Sequence, residues 1–265
     1  MIKTPISIGA LRKLIKELNA ADDRKPVAIG GAGEIARTLE RELTRGGDAS
    51  AVRVGAPEGA AIYVHIGSGE SALRAARKAR IPIVAVVFDD GELPYVYATD
   101  VVEVGPGEKL PVDRIAAAIA ARLGEAGAPL AARLPELRRA VCDRIVASFA
   151  RKNGILGAAV FVPGADLPVL ALNQIRMLLL LDQAYGLELD PRERLPEIVA
   201  TVGAGLGLRA AARELLDLVP VAGWLVKGGV AYAGTRALGE AALVRLRAGN
   251  ALPEERQRAR ANAKR

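Results

Sequence analysis

The pattern of apolar and polar positions changes near the middle of the chain. In the first 124 residues, short apolar runs alternate with longer stretches whose apolar residues recur at helical spacing. Such alternation with short turns predicts a parallel sheet covered by helices on both faces. The predicted strands are 26–30, 51–54, 61–66, 81–88 and 101–104, and the predicted helices are 11–20, 34–45, 70–80 and 112–123.

The second half has a different pattern, in which helices are apolar nearly all the way round. In the stretch 166–186, Asp166, Asn173 and Arg176 fall on one side, within roughly a third of the circumference together with Gln183. Such a helix must be surrounded by other apolar surface, either protein or lipid. We therefore predict an α/β domain over 1–124, a connecting helix over 125–152, an all-α apolar bundle over 153–250 and a basic tail over 251–265. Residues 124–130 are the predicted hinge.

The polar stripe has two interpretations. Asp166 and Arg176 are too far apart to pair along one helix, so each needs a partner from another segment. The stripe is either an internal ion-pair network that fixes helix register, or a polar pathway or partner-binding groove. Small-residue notches at Gly203, Gly205, Gly207, Gly228, Gly229 and Gly234 suit close backbone approach in both cases.

Composition favours a helical interior and an anionic partner. The chain is 51% hydrophobic but only 3% aromatic, and its net charge is +7. That charge attracts acidic lipid or nucleic acid, but the scarcity of aromatics and the lack of a reader motif argue against nucleic acid. Cys142 is the single cysteine, which excludes an intramolecular disulfide. The single histidine argues against a zinc site. The N-terminal segment does not have the pattern of a secretion signal. We expect His65 to be a satisfied strand histidine.

Two glycine-rich turns are the candidate ligand site. Gly30, Gly31 and Gly33 follow the first strand, and Gly31-Ala32-Gly33-Glu34-Ile35-Ala36 fits a variant of the dinucleotide fingerprint. Gly67, Ser68 and Gly69 follow the third strand. Both turns open a helix at the carboxyl edge of the predicted sheet, where a helix N-terminus can attract phosphate. The alternative is that the glycines only make tight turns.

Several features argue against ordinary nucleotide chemistry. Glu34 brings a carboxylate to the start of the first of these helices, where it would repel phosphate. The second strand does not end in the acidic residue that would hold the ribose of a dinucleotide. Residues 35–37 lack the lysine and hydroxyl of a phosphate-binding loop, so we do not expect GTP hydrolysis by the usual route.

Motifs of the second half resemble those of the YcjF-type bacterial domain of unknown function. The similar segments lie within about 154–243 and run in order: Val162-Pro-Gly-Ala-Asp166, Leu172-Asn-Gln-Ile-Arg-Met177, Tyr185-Gly186, Gly205-Leu-Gly-Leu-Arg209, Leu218-Val-Pro-Val-Ala-Gly223 and Ala231-Tyr-Ala-Gly-Thr-Arg-Ala-Leu-Gly239. The resemblance implies membrane association, since such domains are described as membrane-associated and often follow a small GTPase-like domain. The first half would then be a degenerate Rossmann-like or GTPase-like domain.

The apolar helices do not read as simple membrane spans. A spanning helix needs about 20 mostly apolar residues. The candidate 215–235 contains Asp217, Pro220 and Lys227, and 167–181 is short and contains Arg176. A compact helical bundle that docks on a bilayer, or opens into it as hairpins, fits better.

The sequence thus predicts a non-catalytic interaction or scaffold protein, associated with the cytoplasmic side of a membrane. The expected partner is anionic lipid or a membrane surface, with a protein partner or homo-oligomer as an alternative. The basic tail either helps to hold the membrane or is a solubilising end. The second hypothesis is a nucleotide-binding switch or enzyme that uses the glycine turns; the sequence identifies no particular cofactor or metal.

Overall fold

The computed structural model describes residues 8–20, 24–88, 93–159, 167–187, 189 and 223–250. By the density of their contacts, these residues form two units. The α/β unit consists of Leu18–Ile145 and Gln183–Leu187. The helical unit consists of 8–17, Val146–Asp182 and the described residues after 187.

A parallel sheet of five strands forms the centre of the α/β unit. The strands are β1 (Val27–Gly31), β2 (Val52–Val54), β3 (Ile62–Ile66), β4 (Ile83–Val87) and β5 (Val101–Glu103), and they pair in the order β2-β1-β3-β4-β5. β3 and β4 are buried along their whole length. Their continuous Val and Ile runs are typical of parallel strands covered on both faces. The predicted α/β architecture is confirmed.

Helices cover both faces of this sheet. They are α2 (Gly33–Leu43), α3 (Glu70–Lys78) and α4 (Val112–Leu123), after α1 (Ile8–Ala20) at the start of the described chain. α2 and α4 contact each other on one face. α3 packs Leu73 and Ala76 against Ala28 and Tyr63 on the other. Right-handed crossovers that leave β1 and β3 in opposite directions account for this doubly wound arrangement.

The region predicted as a hinge is helical. Gly124 ends α4 with a φ of +55°, a 3₁₀ turn covers Gly124–Gly127, and α5 (Ala128–Arg133) follows with Ala128 and Leu130 buried. α6 (Pro135–Ala159) begins after Leu134. The connecting segment predicted as one helix over 125–152 therefore contains two helices, and the division between units falls inside α6, between Ile145 and Val146.

The helical unit contains the second part of α6, most of α7 (Leu167–Ala184) and α8 (Gly223–Asn250). The apolar surface of α7 is buried over most of its circumference, but Val169 and Leu172 are exposed. The buried positions are not confined to one stripe. They include Leu170, Ala171, Ile175 and the run 177–182.

α6 and α8 approach closely through small residues. A Cβ added to Gly157 would lie 2.7 Å from Ala231 Cβ, and one added to Gly228 would lie 2.9 Å from the Gly154 carbonyl oxygen. The predicted notch at Gly228 is thus a close helix crossing. Gly229 has nothing within 4 Å of an added Cβ and plays no such part. Gly203, Gly205 and Gly207 lie outside the described residues.

Among the described residues, one helical run, Val112–Arg133, has the length and composition to cross a bilayer, with a mean hydropathy of 1.2. This run is α4 and α5, and it includes Ile115 and Ile119, which are fully buried in the α/β unit. α4 packs on β4 and β5. Its apolar character is therefore explained by a place in a protein core.

Candidate functional site

The two glycine turns lie side by side at the carboxyl edge of the sheet. β1 ends at Gly31 and β3 ends at Ile66, and these two residues are register partners. The amide of Ala32 donates to the Ile66 carbonyl oxygen across 3.1 Å. In the order β2-β1-β3-β4-β5 the chain changes winding direction between β1 and β3, which is where open α/β sheets bind ligands. The predicted shared edge is confirmed, whereas ligand binding there stays a prediction.

Glycine is required sterically at the end of β1. Gly31 has a φ of +104°, and an added Cβ would lie 1.9 Å from the Ile66 carbonyl oxygen. An added Cβ on Gly30 would lie 2.1 Å from the Tyr63 hydroxyl oxygen. Gly33 differs, because it begins α2 and an added Cβ would meet nothing within 4 Å. Packing explains two of these glycines and leaves Gly33 unexplained.

The second turn forms a glycine arch over the end of β3. Gly67 has a φ of +82° and Gly69 a φ of +154°, both in the region that favours glycine. The Gly67 amide is used inside the sheet, where it donates to the Val86 carbonyl oxygen across 2.8 Å. Ser68, between the two glycines, is exposed.

Both turns lead directly into helix N-termini without a side-chain cap. The residues at the cap positions are Ala32 for α2 and Gly69 for α3, and neither supplies a side-chain hydrogen bond. The first amides of a helix lack intrahelical acceptors and carry the positive end of the helix dipole. Two such ends at one sheet edge can attract an anion.

The acidic residues beside these helix starts are paired along their own helices. Glu34 accepts from Arg37 across 3.0 Å, and Glu70 accepts from Arg74 across 2.6 Å. The Tyr95 hydroxyl lies a further 3.4 Å from Glu70. The Arg74 hydrogen bond is the main reason that the pKa of Glu70 is lowered. Glu34, which the sequence predicts to repel phosphate, therefore has an arginine side chain beside it.

His65 lies beneath the glycine arch, in a setting that the sequence did not predict. Its side chain is buried, with 2% exposure, and its Nδ1 is 3.4 Å from the Tyr63 hydroxyl oxygen. Its Nε2 is a buried side-chain nitrogen for which the described part of the chain offers no hydrogen-bond partner. Burial lowers the pKa of His65, and a hydrogen bond to the Gly67 backbone partly offsets this. The expectation of a fully satisfied strand histidine is wrong for Nε2.

A cluster of buried amide and hydroxyl side chains occupies the helical unit. Asn153 on α6 donates to the Thr235 hydroxyl of α8 across 2.9 Å, and Gln174 on α7 donates to the same oxygen across 3.2 Å. Asn173 on α7 donates to the Asn153 side-chain oxygen across 2.8 Å. Of these four residues, only Asn173 belonged to the predicted stripe.

Two residues of the predicted polar stripe remain, Arg176 and Asp166. Arg176 is half-buried on α7, and Asp166 lies outside the described residues. Asn153 and Thr235 were missed, although each lies on the same helix as glycines of the α6–α8 crossing, and Asn153 is next to Gly154. That coincidence is the signal that could have found them.

Within the described ranges, no group of three or more His, Cys, Asp or Glu side chains is arranged to hold a metal ion. Comparisons of the chain with protein-family models, with curated proteins and with solved structures found no match. The resemblance to the YcjF-type domain therefore stays a prediction.

Proposed function

We propose that this protein is a non-catalytic interaction module that associates with the cytoplasmic side of a membrane. In this proposal the helical unit docks on anionic lipid, and the Rossmann-like unit is a degenerate GTPase-like scaffold. The supporting observation is a set of large apolar side chains that α6, α7 and α8 leave exposed. They are Ile155, Val169, Leu172, Tyr232 and Val244.

Two of these side chains, Ile155 and Val244, make little contribution to the packing of the helical unit. Ile155 is 63% exposed and Val244 is 64% exposed. The close approach of α6 and α8 is made at Gly154, Gly157 and Gly228, where Tyr232 lies against Gly154. Transfer of a Val, Leu or Ile side chain out of water contributes about 1.5–3 kcal/mol, so a few of them suffice for interfacial docking. The net charge of +7 adds attraction to anionic lipid.

Vesicle flotation tests this proposal. The full chain should float with vesicles of phosphatidylglycerol and phosphatidylcholine and float less with phosphatidylcholine alone. Ile155→Ser and Val244→Ser should each weaken binding by about tenfold, because each removes the transfer free energy of one exposed side chain.

Val54→Ser is the matched control. Val54 is 40% exposed but lies at the end of β2 in the α/β unit, so its replacement should leave flotation unchanged. A protein that stays with the dense fraction in both lipid mixtures contradicts the proposal. So does equal flotation of the wild type and the two helical variants.

A second candidate function is nucleotide binding at the glycine turns. It is favoured by the two helix N-termini without side-chain caps, which start at Gly33 and Glu70 on either side of the β1/β3 switch point. Thermal shift of the full chain with NAD, FAD, ATP and GTP tests it. A rise in melting temperature with one of them, lost in Gly33→Asp, supports nucleotide binding, and no shift with any of the four opposes it.

A further inference from the structure

We infer that the N-terminus of α3 and the His65 ring form a proton-linked site for a tetrahedral oxyanion, such as a phosphoryl group. This inference rests on the second candidate function and specifies which chemical group the glycine arch would hold. His65 in its imidazolium form would donate from Nε2 to the anion, and the first amides of α3 would donate from the other side.

The position of Nε2 supports this assignment. Gly69, the residue before α3, lies over the His65 ring. A Cβ added to Gly69 would lie 3.4 Å from His65 Cε1 and 3.6 Å from Nε2. The ring nitrogen therefore faces the start of a nine-residue helix and is separated from it by one glycine without a side chain.

The hydrogen bonds of the ring identify the nitrogen that is available. The Gly67 backbone interaction raises the pKa of His65, which is the effect expected when the ring donates to a carbonyl oxygen. Nδ1 lies 3.4 Å from the Tyr63 hydroxyl oxygen, whereas Nε2 has no hydrogen-bond partner among the described residues. Nε2 is therefore the ring nitrogen that is available to a ligand, and in the imidazolium form it donates a hydrogen bond.

Among the described residues, the groups that face the ring do not neutralise an imidazolium. On β3 the neighbouring polar group is the Tyr63 hydroxyl, whose pKa is raised by burial, so it stays uncharged. The facing residues on β1 and β4 are Gly30 and Ala85.

The charged side chains at the two helix starts are already paired. Glu70 is engaged by Arg74 and Tyr95, and Glu34 is engaged by Arg37. A buried imidazolium without a counter-charge is unfavourable. A bound oxyanion would supply that charge, so protonation of His65 and anion binding should favour each other.

The arch can accommodate the anion by a small movement. Gly69 presents only backbone over Nε2, and neither it nor the exposed Ser68 is fixed by a side chain in the core. Proton uptake from solvent at Nε2, followed by a shift of Gly69, would bring the ring N–H and the α3 amides onto the same anion. No covalent bond changes in this process.

The ring signals of the sole histidine provide a direct test by NMR in the full chain. The probe is inorganic sulfate, which keeps its charge across the titration, with chloride at matched ionic strength as the control. Sulfate should raise the pKa of His65 by about one unit, which corresponds to about tenfold tighter sulfate binding to the protonated form. Binding measured by calorimetry should be correspondingly stronger at about pH 5.5 than at about pH 8.

His65→Gln keeps a polar side chain but removes the titration, so it should bind sulfate equally at both pH values. Identical histidine titrations in sulfate and chloride overturn the inference, and this arm needs no variant. If ATP or GTP binds without changing the His65 titration, nucleotide binding stands and the proton-linked site fails. If sulfate shifts the titration but no nucleotide binds, the opposite holds.

Discussion

The side-chain amide of Asn153 donates to the hydroxyl of Thr235 across 2.9 Å, and both residues have 0% exposure. This bond joins α6 to α8, and the amide of Gln174 brings α7 to the same hydroxyl oxygen. Buried polar groups stabilise a structure when they are satisfied and destabilise it when a partner is removed. The cluster therefore fixes the register of three helices.

Replacement of Thr235 should be costly despite its small size. Thr235→Val keeps the shape of the side chain but removes the acceptor of both Asn153 and Gln174. We expect a loss of about 2–3 kcal/mol in the free energy of unfolding, because two buried amides lose a partner. Urea unfolding followed by circular dichroism measures it. A change below about 0.5 kcal/mol, the range of ordinary surface substitutions, would show that the cluster does not fix the helices.

Two adjacent glycines of α8 should respond in opposite directions to alanine. Gly228→Ala places a Cβ 2.9 Å from the Gly154 carbonyl oxygen and 3.0 Å from Ala158 Cβ. We expect a loss of about 1–3 kcal/mol from this overpacking. Gly229→Ala meets open space and should gain up to about 1 kcal/mol from helix propensity. Equal melting temperatures for the two variants would be inconsistent with a close α6–α8 crossing.

The ionised Asp48 side chain should stabilise the folded protein, and this contribution should be lost in acid. Its pKa is lowered to about 2 by hydrogen bonds from Ser50 and Arg133. The folded-state pKa is thus below the ordinary value of 3.8, so the contribution is complete above that value and is lost as the pH falls towards 2. The advantage of the wild type over Asp48→Asn in melting temperature should shrink over this interval. An advantage that stays constant from about pH 5 to pH 2 would contradict the assignment.

Burial of neutral His65 should make the protein less stable in mild acid. Its pKa is lowered by burial, so the unfolded chain binds a proton that the folded chain resists. The contribution of neutral His65 to the free energy of unfolding is complete above the ordinary histidine pKa of 6.5 and decreases as the pH falls below it. His65→Gln should flatten this part of the curve of melting temperature against pH in chloride buffer. The hypothesis fails if the variant and the wild type have parallel curves there.

The sequence predicted the α/β unit well because its signals are local. β4 reads Ile-Val-Ala-Val-Val, which is typical of a strand buried on both faces, and the helix predicted over 112–123 has those bounds in α4. The glycine turns were found because Gly31 and Gly67 stand between a strand and a helix. The predicted hinge at 124–130 was wrong because tertiary packing buries Ala128 and Leu130 and holds the segment in helical turns.

The polar cluster of the helical unit and the environment of His65 Nε2 could not be predicted in the same way. Asn153 and Thr235 are 82 residues apart, and helical periodicity fixes the face of a side chain but not its partner on another helix. Within the described residues the Nε2 of His65 has no hydrogen-bond partner and lies next to Gly69, a placement that depends on a turn geometry that the sequence does not specify. Asp166 lies outside the described residues, so its place in the stripe stays a prediction.

The most direct test of membrane docking is an environment-sensitive fluorophore at position 155. The buried Cys142 is replaced by alanine, and a single cysteine is introduced by Ile155→Cys and labelled with a nitrobenzoxadiazole dye. Addition of phosphatidylglycerol vesicles should shift its emission to the blue, because the label enters the interface, while the same label introduced by Val54→Cys should not respond. An unchanged spectrum at position 155, or an equal shift at position 54, would contradict docking through the helical unit.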